Sequence, residues 1–306
     1  MKILRASHLG MCFGVRDAIA LARQQATLHP LSILGDLVHN DTVVQQLRAQ
    51  GIRMAKQPDQ LTTAAVMITA HGASQRTLQR VRDAGHQVME ATCPLVHYAH
   101  RAVAALVRDG FHPVIIGKRD HVEVRGLTDD LAEYDVVLTE EDVHALGERT
   151  RFGVAAQTTQ PIDRVRSLVA LIRHRFPHAE VRFADTVCHP TKQRQTAALR
   201  LARLSDVVVV IGGAESNNTR ELTATCRLHC ARVHHVQTAG DLQPDWFLEA
   251  ATVGITAGTS TPDETIDAVE RRLRELTAGR TEADHGWVDA PVVKGQYAME
   301  GELAAK

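Results

Sequence analysis

What most constrains this chain is the way its apolar runs end. Short stretches of buried-strand character recur along it, and each stops in a small polar turn followed by an amphipathic helical stretch. Ile33-Leu34-Gly35 leads into Val38-His39-Asn40-Asp41, Val66 to Ala70 into His71-Gly72-Ala73-Ser74, and Val114 to Gly117 toward His121-Val122-Glu123. Farther along, Phe152 to Ala156 leads into Gln157-Thr158-Thr159, Val207 to Ile211 into the segment Gly212 to Thr219, and Val253 to Thr256 into Ala257-Gly258-Thr259-Ser260. Strands that alternate with helices in this way build parallel sheets covered by helices. Ligands of such sheets sit beyond the carboxyl ends of the strands. Six strand ends carrying His, Ser, Thr, Asn and Glu are therefore six candidate contributors to one site.

Three further junctions carry cysteine. Cys12 follows Ile3 to Ala6, Cys93-Pro94 follows Val88-Met89, and Cys188-His189-Pro190 follows Val181 to Phe183. Their spacings, 81 and 95 residues, are of one-domain size. The pattern predicts an α/β fold of three similar lobes in a pseudo-threefold arrangement, spanning 13–93, 94–190 and 191–278 plus 1–12, with the cysteines at its centre. Residues 279–306 read as a tail, either without fixed structure or laid across another lobe. Helix starts are expected at Pro262 after Thr261 and at Thr159-Gln160-Pro161. A thiolate ahead of a helix N-terminus should gain from the helix dipole. The spaced cysteines lack a tight CxxC signature, so periodicity suggests a shared site without naming a metal.

Composition narrows the function classes. The chain has 306 residues with net charge −1 and 4% aromatics, which offers neither a cationic field nor a stacking surface for nucleic acid or anionic lipid. No stretch approaches the roughly 20 apolar residues of a membrane span. Leu9-Gly10-Met11-Cys12 is a poor lipoprotein cleavage site, because Met11 is not small and Arg5 and His8 interrupt the apolar region. A cytoplasmic location is expected. Five cysteines, an odd and scattered set, favour metal or redox chemistry over disulfides.

From Gly10-Met11-Cys12-Phe13-Gly14-Val15 onward the chain resembles the 4-hydroxy-3-methylbut-2-enyl diphosphate reductases, which perform the last step of the methylerythritol phosphate route to isoprenoids. The likeness continues through Val38-His39-Asn40, Ala70-His71-Gly72, Ala91-Thr92-Cys93-Pro94-Leu95-Val96, His121-Val122-Glu123-Val124, Gln157-Thr158-Thr159, Ser216-Asn217-Asn218 and Thr256 to Ser260. It spans roughly residues 1 to 276, in the family's order. The resemblance implies a three-lobed α/β fold around a 4Fe–4S cluster held by Cys12, Cys93 and Cys188. One iron is then not ligated by cysteine and takes the hydroxyl oxygen of an allylic diphosphate. Two electrons from a ferredoxin or flavodoxin type donor drive C–O cleavage to isopentenyl and dimethylallyl diphosphate. Glu123 matches the proton donor to the departing hydroxyl, and Thr158 a hydroxyl beside it. His39, His71, His121, Ser216, Asn218 and Ser260 match the diphosphate partners, with Asn217 in the same loop. Turn amides, helix N-termini, histidines and hydroxyls make a phosphate site without Lys or Arg.

Several positions depart from the family. Phe13 stands where Ala follows the first cysteine, Val122 replaces a Pro before the acid, and Asn217 replaces a Ser. Lys118-Arg119-Asp120, Leu127 and His189-Pro190 also differ. Such changes fit a divergent reductase or a paralogue acting on a different allylic diphosphate. Two other classes stay open at this stage: a zinc protein using the same cysteines, and a non-catalytic iron–sulfur sensor. A nucleotide-dependent dehydrogenase is disfavoured, because no G-x-G-x-x-G opens the first helix. Cys226 and Cys230, four apart on an expected helix, read as buried packing, and His234-His235 as an edge feature.

Overall fold

The computed structural model describes residues 1–277 and the backbone of residues 285–287. After β1 (Lys2–Arg5), the first unit runs through α1 (Phe13–Ala26), β2 (Leu31–Leu34), α2 (Asp41–Ala49), β3 (Arg53–Ala55), β4 (Ala65–Ile68), α3 (Gln75–Asp83) and β5 (Gln87–Glu90). The second comprises α4 (Pro94–Arg108), β6 (His112–Ile116), α5 (Val122–Thr128), β7 (Asp135–Val137), α6 (Glu140–His144), β8 (Arg151–Ala156), α7 (Ile162–Arg175) and β9 (Glu180–Phe183). The third comprises α8 (His189–Arg203), β10 (Val207–Ile211), α9 (Asn217–Arg227), β11 (Arg232–Val236), β12 (Thr252–Ala257) and α10 (Asp263–Leu276), with β13 (His285–Trp287) beyond.

The three parallel sheets repeat one plan. Their strand orders are β3-β2-β4-β5, β7-β6-β8-β9 and β11-β10-β12-β1-β13. In each, an edge strand flanks two inner strands, and a fourth strand feeds a cysteine. The third sheet obtains its fourth strand from the start of the chain, with Lys2 opposite Thr252 and Arg5 opposite Ile255. β13 then pairs with the free edge of β1, Ile3 facing His285. That segment falls within the expected tail, so part of it extends the third sheet. Residues 278–284 and 288–306 lie outside the described residues.

Burial explains the apolar runs. Along β10, Val207, Val209 and Ile211 pack with Ile266, Val269 and Leu273 of α10. Val208 and Val210 pack on the other face with Ala198 and Leu201 of α8 and Leu222 of α9. A strand covered on both faces needs an unbroken apolar sequence, not an alternating one. The first sheet is covered by α1 through Ala18, Ile19 and Ala22. In the second, Ala99, Val103 and Leu106 of α4 meet Ile115 and Ala155.

Capping sets where the helices start. Asn40, Ser74, Thr139 and Ser216 each accept a backbone N–H from the first turn of the helix they precede. At two expected starts the prolines stand one position earlier, since Pro161 and Pro262 are themselves the N-cap residues of α7 and α10. Cys226 and Cys230 are buried in the core of the third unit, but the helix stops at Arg227 and Cys230 lies beyond it. His234 and His235 lie on the edge strand β11. There His234 stacks on Trp246 with ring centroids 3.9 Å apart, and His235 Nε2 meets Gly212 O at 2.9 Å. Among the described residues, no helix is long and apolar enough to cross a membrane.

Candidate active site where the three sheets meet

The three cysteines occupy equivalent places. Each is the N-cap residue of the helix that follows its strand: Cys12 of α1, Cys93 of α4 and Cys188 of α8. Each backbone N–H donates to a carbonyl two residues past the end of the neighbouring inner strand. The acceptors are Thr259 O for Cys12, Ala70 O for Cys93 and Thr158 O for Cys188. The shared hydrogen bond fixes each cysteine's backbone against its sheet, and Cys188 Sγ lies 3.0 Å from Thr191 Oγ1 in the first turn of α8. All three thiols are free and partly buried.

Gly14 shows how tightly they are fitted. A Cβ at Gly14 would lie 2.5 Å from Cys93 Sγ, so the first turn of α1 must pass the second cysteine without a side chain. Burial pushes the Cys188 thiol up to about 11 and raises Cys93 as well. The charges of Cys12 and Glu123 act on both in the same direction, while hydrogen bonds at the helix starts pull back. The benefit expected from the helix dipole is thus outweighed by burial for these two sulfurs. Three such thiols ionise when metal replaces their protons.

Soft sulfur donors on three separate elements fit an iron–sulfur cluster.

Beside the cysteines lies a buried acid. Glu123 is 1% exposed in the first turn of α5. Thr158, just past β8, donates its backbone N–H to one carboxylate oxygen at 2.6 Å and its hydroxyl to the other at 3.0 Å. Burial lifts the Glu123 pKa to about 7, with the two Thr158 bonds opposing the rise. Val122, in place of the family's Pro, does not leave this acid loosely aimed. The Glu123 N–H donates to His121 Nδ1 at 3.1 Å, so a side-chain cap pins the turn.

Three histidines from the ends of β2, β4 and β6 cluster together. The rings of His39 and His71 stack at 4.4 Å between centroids, and His121 meets them edge-on at 5.2 and 5.6 Å. Burial keeps all three neutral: His39 is lowered, His71 lies well below its ordinary value, and His121 falls to about 3. Because His121 Nδ1 accepts a hydrogen bond, its proton sits on Nε2. His39 Nε2 and His71 Nδ1 are buried without a hydrogen-bond partner, polar atoms suited to an anionic ligand.

The third unit closes the group. Ser260 donates to His39 O at 3.1 Å, and Asn218 Oδ1 accepts the Thr259 N–H at 3.0 Å, leaving Asn218 Nδ2 buried without a partner. Ser216 caps α9 by accepting from Thr219 N at 3.3 Å. Asn217 turns toward the second unit, where its amide donates to Thr159 Oγ1 at 3.0 Å. Phe13 opens α1 with its ring 46% exposed, so it does not fill the space between the sulfurs.

Gln157 and Thr159 flank Thr158 and bond to each other at 3.1 Å. One group had no mark in the sequence. Arg194, buried in α8, differs in no sequence property from Arg200 and Arg203 of the same helix. Only its partners in space reveal it.

The chain is similar to known proteins along most of its length. Residues 3–274 match the family described as LytB protein. A reductase of 4-hydroxy-3-methylbut-2-enyl diphosphate from Pelobacter propionicus is 35% identical, over 90% of this chain and 99% of its own. The solved structure of (E)-4-hydroxy-3-methyl-but-2-enyl diphosphate reductase, the terminal enzyme of the non-mevalonate pathway, is 35% identical with a TM-score of 0.65. It covers 90% of this chain and all of its own. The E-1-hydroxy-2-methyl-but-2-enyl-4-diphosphate reductase of Plasmodium falciparum shares the fold at a TM-score of 0.84, with 24% identity over 89% of this chain and 88% of its own. On this match over residues 3–274, the protein belongs to the LytB family.

Proposed function

We propose that this protein reduces (E)-4-hydroxy-3-methylbut-2-enyl diphosphate to isopentenyl and dimethylallyl diphosphate, the last step of the methylerythritol phosphate pathway. The observation that carries this reading is the Glu123–Thr158 pair. It is a buried carboxyl lifted to about 7, next to three cysteines at equivalent helix N-caps. A structural glutamate or a sensor has no use for an acid held near neutrality in a closed site.

Cys12, Cys93 and Cys188 hold the 4Fe–4S cluster in this reading, leaving one iron without a cysteine. When bound, the cluster supplies two electrons one at a time. The reaction consumes these and two protons, breaks the allylic C–O bond, and releases water.

The protein's own groups do the rest. His39 Nε2, His71 Nδ1, His121 Nε2, Ser216, Asn218 Nδ2 and Ser260 bind the diphosphate, with Asn217 bracing their loop against Thr159. A dianionic or trianionic ligand also draws protons onto neutral histidines, strengthening each contact. Thr158 orients the substrate hydroxyl, and Glu123 gives that hydroxyl its proton as it leaves. The second proton goes to the allylic carbon. Electrons come from a ferredoxin or flavodoxin type protein, because no dinucleotide fingerprint is present. The cytoplasm, where thiols stay reduced, suits five free cysteines.

The deciding experiment is anaerobic turnover of this diphosphate by iron-reconstituted protein with a chemical reductant. Production of both isomers is expected. A loaded cluster with no turnover would overturn this substrate and leave a paralogue on another allylic diphosphate or a non-catalytic sensor, and absence of a cluster would overturn the site reading.

A further inference from the structure

Glu123 and Arg194 are the buried carboxylate-type and cationic side chains among the described residues, and the catalytic reading uses only the first. Arg194 is 7% exposed. Its Nε and Nη2 fork onto Gly10 O at 3.0 and 2.7 Å, and its Nη1 donates to Pro190 O at 3.1 Å. Gly10 lies two residues before Cys12, and Pro190 two residues after Cys188. One guanidinium therefore ties the loop of the first cysteine to the helix of the third.

The loop is built for that clamp. Gly10 has φ +74°, and a Cβ there would lie 2.7 Å from Ile266 Cδ1. Its N–H donates to Ala257 O at 3.1 Å, so its carbonyl is left for Arg194. The acceptors that Arg194 reaches are main-chain carbonyls, which carry no full charge. A buried cation needs an anion nearby to offset the loss of water. Burial works against its charge, while Cys12 and Cys188 are the groups that favour it.

We infer that Arg194 is a positioning residue for the sulfur site and its fixed countercharge. It holds Cys12 in register with Cys188 and favours the reduced state of what they bind. The inference rests on the proposed cluster site. A cluster on three thiolates is anionic and gains a further negative charge on taking an electron, so a fixed cation beside it raises the reduction potential.

The test uses full-length protein reconstituted anaerobically as wild type, Arg194→Gln and Arg194→Lys. Iron and sulfide content, chelator-driven iron loss and the midpoint potential by EPR-monitored titration are read on the same samples. Arg194→Gln should lower the reduced-to-oxidised ratio at fixed potential at least tenfold, about 59 mV for one electron. Arg194→Lys keeps the charge and should stay near the wild-type potential. It cannot fork onto two carbonyls, so both variants should lose iron several-fold faster than wild type. An unchanged potential in Arg194→Gln, or an equal fall in both variants, overturns the countercharge role. Iron loss at the wild-type rate in both overturns the positioning role. A wild-type protein that assembles no cluster would instead overturn the site reading beneath them.

Discussion

Thr158 grips Glu123 at both carboxylate oxygens, amide to one at 2.6 Å and hydroxyl to the other at 3.0 Å. Two effects oppose each other there. Full burial favours the neutral acid, while two donors favour the anion, and burial wins by enough to bring the pKa to about 7. An acid balanced in this way can give up a proton and regain it at neutral pH. The balance assigns different outcomes to the two residues when either is changed.

Glu123→Gln keeps the shape and an acceptor for the Thr158 amide but has no acidic proton. Turnover should fall by roughly 10²–10⁴-fold with the iron content unchanged. Thr158→Val removes one donor and should raise the acid's pKa further, moving the alkaline limb of the kcat profile upward. A Glu123→Gln rate near wild type would place the proton source elsewhere.

The same acid makes stability depend on pH. Glu123 has a folded pKa near 7, above the ordinary 4.5, so the folded state holds a proton that the unfolded chain releases between these values. Its contribution is present below about pH 4.5 and is lost as pH rises toward 7. The full difference is about 3 kcal/mol. Urea unfolding of the metal-free protein should therefore show Glu123→Gln gaining on wild type between pH 5 and pH 8. A gap that is constant over this range would show that the carboxyl is not perturbed.

Cys12→Ser, Cys93→Ser and Cys188→Ser should each abolish stable iron binding, while Cys226→Ser and Cys230→Ser keep it. Cys226 is fully buried with its pKa pushed up to about 12, so it should also resist alkylation in the native protein. Gly14→Ala puts a methyl 2.5 Å from Cys93 Sγ and should cut iron occupancy without unfolding the lobe. Full iron content in Gly14→Ala would mean that α1 can shift away at little cost.

Asn217→Ser, a return to the family's residue, deletes the bond that braces the diphosphate loop against Thr159. One neutral hydrogen bond of this kind contributes about 1 kcal/mol. Denaturant unfolding should show a loss of that size, and the diphosphate KM should change more than kcat. Phe13→Ala should leave both kinetic constants near wild type, since its ring is half exposed. A large kcat gain from Phe13→Ala would show that the ring does crowd the reacting end of the substrate.

Much of this protein was legible in one dimension because a parallel strand covered on both faces leaves an unbroken apolar run, and its end is marked by the cap of the next helix. That alone placed β2, β4, β6, β8, β10 and β12, the three cysteine junctions, and the histidines, hydroxyls and acid that follow them. The edge strands β3, β7 and β11 left little trace. A strand paired on one side stays partly exposed, and sequences such as Arg53-Met54-Ala55 need not be apolar. Tertiary structure decided which strand ends would face one another. It paired the N-terminal strand between β12 and β13, stacked His39 on His71 across a gap of 31 residues, and turned Asn217 toward Thr159. It alone distinguished Arg194 from its helix neighbours. Local periodicity records whether a residue is covered, whereas the identity of the covering group depends on long-range packing that no neighbouring residue encodes.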